Sequence, residues 1–139
     1  MRTIAFFVSG TPQPAPKKAT NMRTGMIYSR DPKGTKRAWA AKLASLARKA
    51  MQVPMIEKGV PVRLNCTFFL PRPASQRGKK RRERPTGTPD LSNLYYAVEN
   101  ALKGICYHDD SQVVTFGGMK WYADENSPAG VQVSVEEIG

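Results

Sequence analysis

Apolar and polar positions alternate in several stretches of the chain and predict strands. The clearest stretch is residues 62–70, in which the even-numbered residues are apolar and the odd-numbered ones mainly polar. A period of two is typical of a strand that buries one face. Residues 3–9, 112–122 and 131–138 show the same alternation over shorter or interrupted runs. The pair Gly117-Gly118 indicates a bulge or bend, and the short connection between the last two strands predicts a hairpin.

In two other stretches, apolar residues recur at intervals of three or four and predict helices. The first helix runs from Thr35, a suitable N-cap, to about Gln52. The second follows Thr88-Pro89, which suits the N-cap and first helical position, and ends near Gly104. Their apolar stripes are Trp39, Leu43, Leu46 and Ala50 in the first helix, and Leu91, Leu94, Val98, Leu102 and Ile105 in the second.

The element order β-α-β-α-β-β predicts an α/β (α+β) fold with a mixed sheet of about four strands and two helices against it. A length of 139 residues suits one domain spanning 1–139. Residues 19–34 show no clean periodicity, so they form either a long basic loop or a small hairpin around Thr24-Gly25. Residues 71–89 are rich in proline, glycine and basic side chains, and we expect a flexible basic loop there.

The charge is large and unevenly placed. The chain has a formal net charge of +11, and residues 1–84 carry 20 basic and 3 acidic side chains. Residues 85–139 carry 2 basic and 8 acidic ones. A basic body followed by an acidic part favours a polyanionic partner and a carboxylate cluster that binds a metal. The sequence has no run of roughly 18 apolar residues, so it predicts no membrane-spanning helix. Two cysteines, Cys66 and Cys106, are too few for a disulfide framework. We expect a cytoplasmic protein with no membrane partner.

Three aspartates are the candidate catalytic residues and metal ligands. Asp90 lies at the start of the second helix, and Asp109 and Asp110 precede the third strand of the sheet. About twenty residues of helix and turn separate them, enough for the chain to return to the same end of the sheet. Grouped carboxylates suit Mg²⁺, and beside a basic surface they favour metal-assisted phosphodiester cleavage. A helix cap and a solvated turn are the simpler explanations of these residues. His108 is better explained as a neighbour than as a general base.

Basic residues upstream of Asp90 are the candidate DNA-binding residues, because they would neutralise phosphates with little sequence reading. A solvated loop or a localisation signal is the alternative. Lys17 and Lys18, after the proline-rich turn, form a second basic point. The loop residues are Arg72, Arg77, Lys79, Lys80, Arg81, Arg82 and Arg84.

Three segments together resemble the RusA-like Holliday junction resolvases. They are Pro89-Asp-Leu-Ser-Asn-Leu-Tyr-Tyr-Ala-Val-Glu-Asn-Ala-Leu-Lys-Gly, Tyr107-His-Asp-Asp-Ser-Gln-Val-Val and Val8-Ser-Gly-Thr-Pro-Gln-Pro-Ala-Pro-Lys-Lys. The family pattern is roughly P-D-x-D-N-x-x-K, a D-A-L helix end, D-D-x-Q and a strand that ends in Lys. Lys120 falls where that closing Lys is expected, and the similarity covers nearly the whole chain.

The resemblance implies a small homodimeric, Mg²⁺-dependent endonuclease that binds four-way DNA junctions and nicks opposed strands symmetrically. Such enzymes act in recombination and repair, in bacteria and often in phages. By position, Asp90 matches the first family aspartate and Asp109-Asp110 the later acidic pair. Asn93 matches the motif asparagine, so it is a candidate neighbour of the site.

This chain departs from the family pattern at positions that matter for catalysis. Ser92 stands where the family has its second aspartate, Tyr96 where it has a lysine, and Asn100 where it has the D of D-A-L. Serine is a weak ligand for a hard cation, and tyrosine supplies no ammonium. The alternative function is therefore a weakened or inactive junction-binding dimer. An RNA-binding protein would explain the charge but not the acidic residues.

Overall fold

The computed structural model describes residues 1–74 and 84–139. The described chain forms six strands and two α-helices. They are β1 (Thr3–Ser9), β2 (Lys17–Thr20), β3 (Ile27–Arg30), α1 (Thr35–Ala50), β4 (Val62–Leu70), α2 (Leu91–Leu102), β5 (Val113–Tyr122) and β6 (Gly130–Glu137). The predicted α+β class, the four-stranded mixed sheet and the two helices are confirmed. β2 and β3 form a separate small hairpin, so the hairpin alternative around Thr24-Gly25 is the correct one.

The main sheet has the strand order β1-β6-β4-β5. β6 runs antiparallel to both β1 and β4, and β5 runs parallel to β4. The predicted hairpin of β5 and β6 is wrong, because β4 lies between them. The connection at residues 123–129 passes over the end of β4, where the Ala123 amide donates to the Leu70 carbonyl at 2.7 Å.

The core lies between the helices and one face of the sheet. In β4 the residues with even numbers are buried and the alternation is as predicted. Trp39 and Leu43 of α1 and Leu94 and Val98 of α2 are buried in the same single cluster. Cys66 and Cys106 are free thiols in this core, and burial raises the pKa of each to about 12. The described part of the chain has no helix with the length and apolarity needed to span a membrane.

Both helices begin differently from the sequence prediction. Gly34, at φ 71°, is the N-cap of α1 in place of Thr35. The Asp31 carboxylate accepts hydrogen bonds from the free amides of Lys36 and Arg37, at 3.2 and 3.0 Å. A capping function therefore comes from a residue outside the helix, at a spacing that no short motif indicates.

The second helix begins at Leu91, with Asp90 as its N-cap. The predicted helix start at Thr88-Pro89 is wrong, because this segment is held outside the helix by a side chain of β5. Lys120 Nζ donates to the carbonyl oxygens of Gly87 and Pro89 at 2.9 and 3.0 Å. The helix ends at Leu102, close to Gly104, which has φ 82°.

Gly117 and Gly118 pair regularly with β4 and form no bulge. The register shift lies instead between Val62 and Arg63 of β4. Gly117 is needed for close approach, because a Cβ there would lie 2.6 Å from Asn65 Oδ1, whereas a Cβ on Gly118 would make an ordinary contact with the Leu91 side chain at 3.6 Å. The first turn of α2 therefore packs on β5, and this fixes the position of Asp90.

Candidate functional site

The start of α2 borders an open groove of about 910 Å³. The other walls of this groove are the proline-rich segment at residues 11–17 and the stem of the basic loop. Asp90, Asn93 and Tyr96 line it at the start of α2, and Lys17 of β2 and Lys36 of α1 line it as well. A carboxylate, an amide and two ammonium groups thus line one cleft together with proline and tyrosine side chains, and the ammonium groups can contact phosphates.

The side chain of Lys120 holds the backbone segment that precedes α2. Its two hydrogen bonds to the carbonyls of Gly87 and Pro89 fix the backbone directly before Asp90. Lys120, which stands at the closing lysine of the family pattern and is a candidate neighbour of the site, therefore acts on the position of Asp90 through the backbone.

The other predicted carboxylates, Asp109 and Asp110, follow the far end of α2. Asp109 accepts a hydrogen bond from the Ser111 hydroxyl and forms an ion pair with Lys103, whose Nζ lies 3.1 Å from its Oδ1. These two contacts, the Ser111 hydrogen bond first, lower the pKa of Asp109 to about 2. Asp109 is therefore an anion at neutral pH, as a metal ligand must be.

Glu99 faces the same acidic pair from α2. Its burial and the negative charge of Asp110 both raise the pKa of this carboxyl above its ordinary value. Lys103, one helical turn further, has a raised pKa because of its hydrogen bond to Asp109 and the charges of Asp109 and Asp110. The C-terminal half of α2 thus brings one more acid and one ammonium to Asp109 and Asp110, and sequence reasoning assigned neither.

Gln112 is the residue that holds the acidic pair in place. Its side chain is buried and makes four hydrogen bonds. Its Oε1 accepts from the amides of His108 and Asp109 at 2.8 and 3.0 Å, and its Nε2 donates to the carbonyls of Glu57 and Val60 at 2.8 and 3.0 Å. The turn that carries the aspartates is therefore fastened to residues 57–60. The spacing Asp109-x-x-Gln112 is that of a capping box, a signal present in the sequence.

Replacing this glutamine should be costly for the fold. We expect Gln112→Leu to lower the free energy of unfolding by about 3 kcal/mol, since two amides and two carbonyls lose a buried partner. Urea denaturation of the variant and the parent measures this. The matched control is Gln132→Leu on the exposed face of β6, which should change stability by less than about 0.5 kcal/mol. Equal effects of the two changes would show that the Gln112 network does not stabilise the turn.

The two groups of carboxylates lie at opposite ends of α2 and not together at one end of the sheet. Asp90 precedes the helix, whereas Asp109 contacts Lys103 directly after it. Twelve helical residues separate these ends by about 18 Å. Accordingly, within residues 1–74 and 84–139 of one chain no group of three or more His, Cys, Asp or Glu side chains is placed to hold a metal ion. The expectation that the chain returns to the same end fails because β5 runs parallel to β4 and starts at the far end of α2.

The remaining predicted residues lie around these two ends. Ser92 is exposed on the first turn of α2, and His108 is exposed beside the acidic pair. The guanidinium of Arg84 lies 3.8 Å from the ring centroid of Trp121, and that of Arg72 lies 4.8 Å from the ring centroid of Tyr122. The two ends of the basic loop are thus placed on adjacent residues of β5. Arg77, Lys79, Lys80, Arg81 and Arg82 lie outside the described residues.

Comparison with known proteins gives a family for the chain. A family model described as endodeoxyribonuclease RusA matches residues 9–136. The chain is also 31% identical over 146 aligned residues to the uncharacterized protein YqaN of Bacillus subtilis (strain 168), and the match covers 99% of each chain.

Proposed function

Because the chain belongs to the RusA endodeoxyribonuclease family, we propose that it is a Mg²⁺-dependent endonuclease that resolves four-way (Holliday) junctions by paired symmetric nicks. It would act on DNA in recombination and repair, in a bacterial or phage-infected cell. The observation that carries the proposal is the groove at the start of α2, which Asp90, Asn93, Lys17 and Lys36 all line. Family membership supports the nuclease activity, and the groove supports a nucleic acid substrate.

The oxygen donors of the two acidic groups fit Mg²⁺, which prefers carboxylates and retains several waters. When bound, this ion would supply an activated water and neutralise charge on the scissile phosphate. Asp90, Asp109 and Asp110 are the residues that would hold it. Asp109 enters this role already ionised, and Lys103 places an ammonium beside the acidic pair. Lys17 and Lys36 would orient the DNA backbone along the groove.

Since one chain separates these donors by the length of α2, we infer that the complete site forms in a homodimer. A twofold axis perpendicular to α2 near its midpoint would set the two copies of the helix antiparallel. Asp90 of one protomer would then meet the partner's Asp109 and the partner's Asp110, and the same contact would recur on the other side. Two sites related by twofold symmetry suit paired nicks in opposed strands of a four-way junction.

The outer edge of β5 is a suitable surface for this dimer. β5 ends the strand order, so within the described residues its outer edge has no strand partner. Val114 and Phe116 on this strand are exposed. Phe116 packs its ring against Tyr95 of α2 with 4.9 Å between centroids. An exposed aromatic beside an open strand edge, close to the middle of α2, is the apolar contact that such an axis requires.

The basic loop is proposed as the main phosphate-binding segment, with Arg72 and Arg84 at its base. We expect junction affinity to fall steeply with salt, because phosphate contacts release counterions. Changing Lys79, Lys80, Arg81 and Arg82 to glutamine should reduce the slope of log K against log [salt] by about three units. The control is Arg48→Gln with Lys49→Gln, exposed cations in the last turn of α1. A slope that stays at the parental value in the loop variant would exclude the loop from the interface.

The second candidate function, a weakened or inactive junction-binding dimer, is favoured by Ser92 and Tyr96. Tyr96 is 49% exposed and lines the groove at the position of the family lysine. Ser92→Asp restores the carboxylate of the family pattern. It should strengthen Mg²⁺ binding and raise cleavage if Ser92 limits the rate.

The experiment that tests the proposed function compares cleavage of a labelled synthetic four-way junction and a linear duplex, with Mg²⁺ and with a chelator. We expect Mg²⁺-dependent cleavage of the junction and little of the duplex. If neither the parent nor Ser92→Asp cuts while both bind junctions tightly, the chain is a junction-binding protein. Equal cleavage of junction and duplex would contradict junction selectivity.

A further inference from the structure

The β2–β3 hairpin stands apart from the rest of the fold. It forms its own two-stranded sheet, and every residue from 21 to 30 is exposed. A two-stranded hairpin without support is marginally stable in water. Nevertheless its tip carries large apolar side chains that the core does not use. Met22 is 94% exposed, Met26 67% and Ile27 70%.

The tip has a defined shape made by its own hydrogen bonds. The amide of Asn21 donates to the Met26 carbonyl at 2.8 Å, and Asn21 Oδ1 accepts from the amides of Arg23 and Thr24 at 2.9 and 3.2 Å. Gly25 has φ 73°, a left-handed conformation that favours glycine. None of these bonds uses a methionine side chain, so the turn presents Met22 and Met26 to solvent without depending on them.

The charge around this tip is of one sign. Residues 1–30 contain no aspartate or glutamate, and the hairpin carries Lys17, Lys18, Arg23 and Arg30. Lys17, at the base of the hairpin, is also a wall residue of the groove that contains Asp90. A polyanion lying in that groove would therefore pass the base of the hairpin, with further cations along it toward the tip.

An apolar tip on a basic arm is the arrangement by which proteins insert side chains between base steps while holding the phosphates beside them. A branch point favours such insertion, since unstacking costs least where base pairing is already interrupted. We propose that Met22 and Met26 insert at the branch point of the DNA junction and unstack the bases there. This inference rests on the proposed function and adds a branch-recognition element to it.

The test uses a four-way junction with a fluorescent adenine analogue beside the branch point, whose emission rises when it unstacks. Binding of the full-length parent should raise the emission severalfold. The double variant Met22→Gln with Met26→Gln should lose most of this rise, while its affinity falls at most about tenfold. Arg23→Gln should keep the rise and reduce the salt slope by about one unit. The control Val53→Gln removes another exposed apolar residue and should change neither the emission rise nor the salt slope.

Four outcomes would overturn the insertion. A double variant that keeps the parental emission rise would show that the methionines do not enter the stack. A double variant that changes from dimer to monomer in sedimentation would identify the tip as a contact between two copies. A parent that binds and cuts the junction without any rise would overturn the insertion alone, whereas a parent that binds no junction would overturn the proposed function with it.

Discussion

Asp110→Asn is expected to abolish Mg²⁺-dependent cleavage of four-way junctions, with a loss of at least about 100-fold, and to leave junction binding intact. The change removes the negative charge of a proposed ligand but keeps the shape of the side chain. A loss of this size is common when one charged group is removed from a phosphoryl-transfer site. Binding should persist, because the basic surfaces on the groove and the loop are unchanged. Affinity without metal should rise slightly, since a negative charge close to phosphate is gone.

Initial cleavage rates and gel-shift affinities of parent and variant measure this effect. The matched control is Asp124→Asn. Asp124 lies in the turn before β6, where its Oδ1 accepts from the amides of Asn126 and Ser127, a role that asparagine can keep. If the Asp110→Asn variant cleaves the junction at the parental rate, the acidic pair is not the active site.

A mixture of two inactive variants is expected to recover cleavage. If each site combines Asp90 of one chain with the partner's Asp110, a dimer of one Asp90→Asn chain and one Asp110→Asn chain carries both changes in the same site. The other site then keeps both aspartates. Random exchange of equal amounts should make half of the dimers mixed, so about a quarter of the parental sites should be active. These dimers should nick one strand and leave the opposed strand intact.

The two variants are unfolded together, refolded and assayed on the junction, with each variant refolded alone as the control. No recovery in a mixture shown to contain mixed dimers would place the whole site within one chain. Sedimentation that finds only monomer at micromolar concentration, with and without DNA, would contradict both the shared site and paired nicking.

The two helices and the four strands of the main sheet were predictable because each carries its own apolar period, which β2 and β3 lack. β4 alternates at every position, and the stripe of α2 falls where the helix packs. The pairing of the strands was not predictable in the same way. The connection at residues 123–129 passes over the end of β4, so β6 pairs on the other side of β4 from β5. Tertiary packing determines this pairing, because a connection of this length would suit a hairpin equally well.

The candidate site was likewise predictable in its residues but not in their arrangement. The sequence makes Asp90, Asp109 and Asp110 the candidates, but their separation depends on the direction of β5, which no local pattern contains. Glu99 and Lys103 were missed because a charged residue on a helix surface usually faces solvent. Gln112 lies within the D-D-x-Q motif, which assigns it no function, although its spacing from Asp109 is a capping signal.

The most direct test of the central claim is the position of the nicks on a four-way junction. Each of the four strands is end-labelled in turn, and the parent protein is added with Mg²⁺. We expect cuts at symmetric positions in one pair of opposed strands, and loss of both cuts with the Asp110→Asn variant. Cuts in all strands at unrelated positions, or at the same rate in a linear duplex, would contradict junction resolution by a twofold dimer.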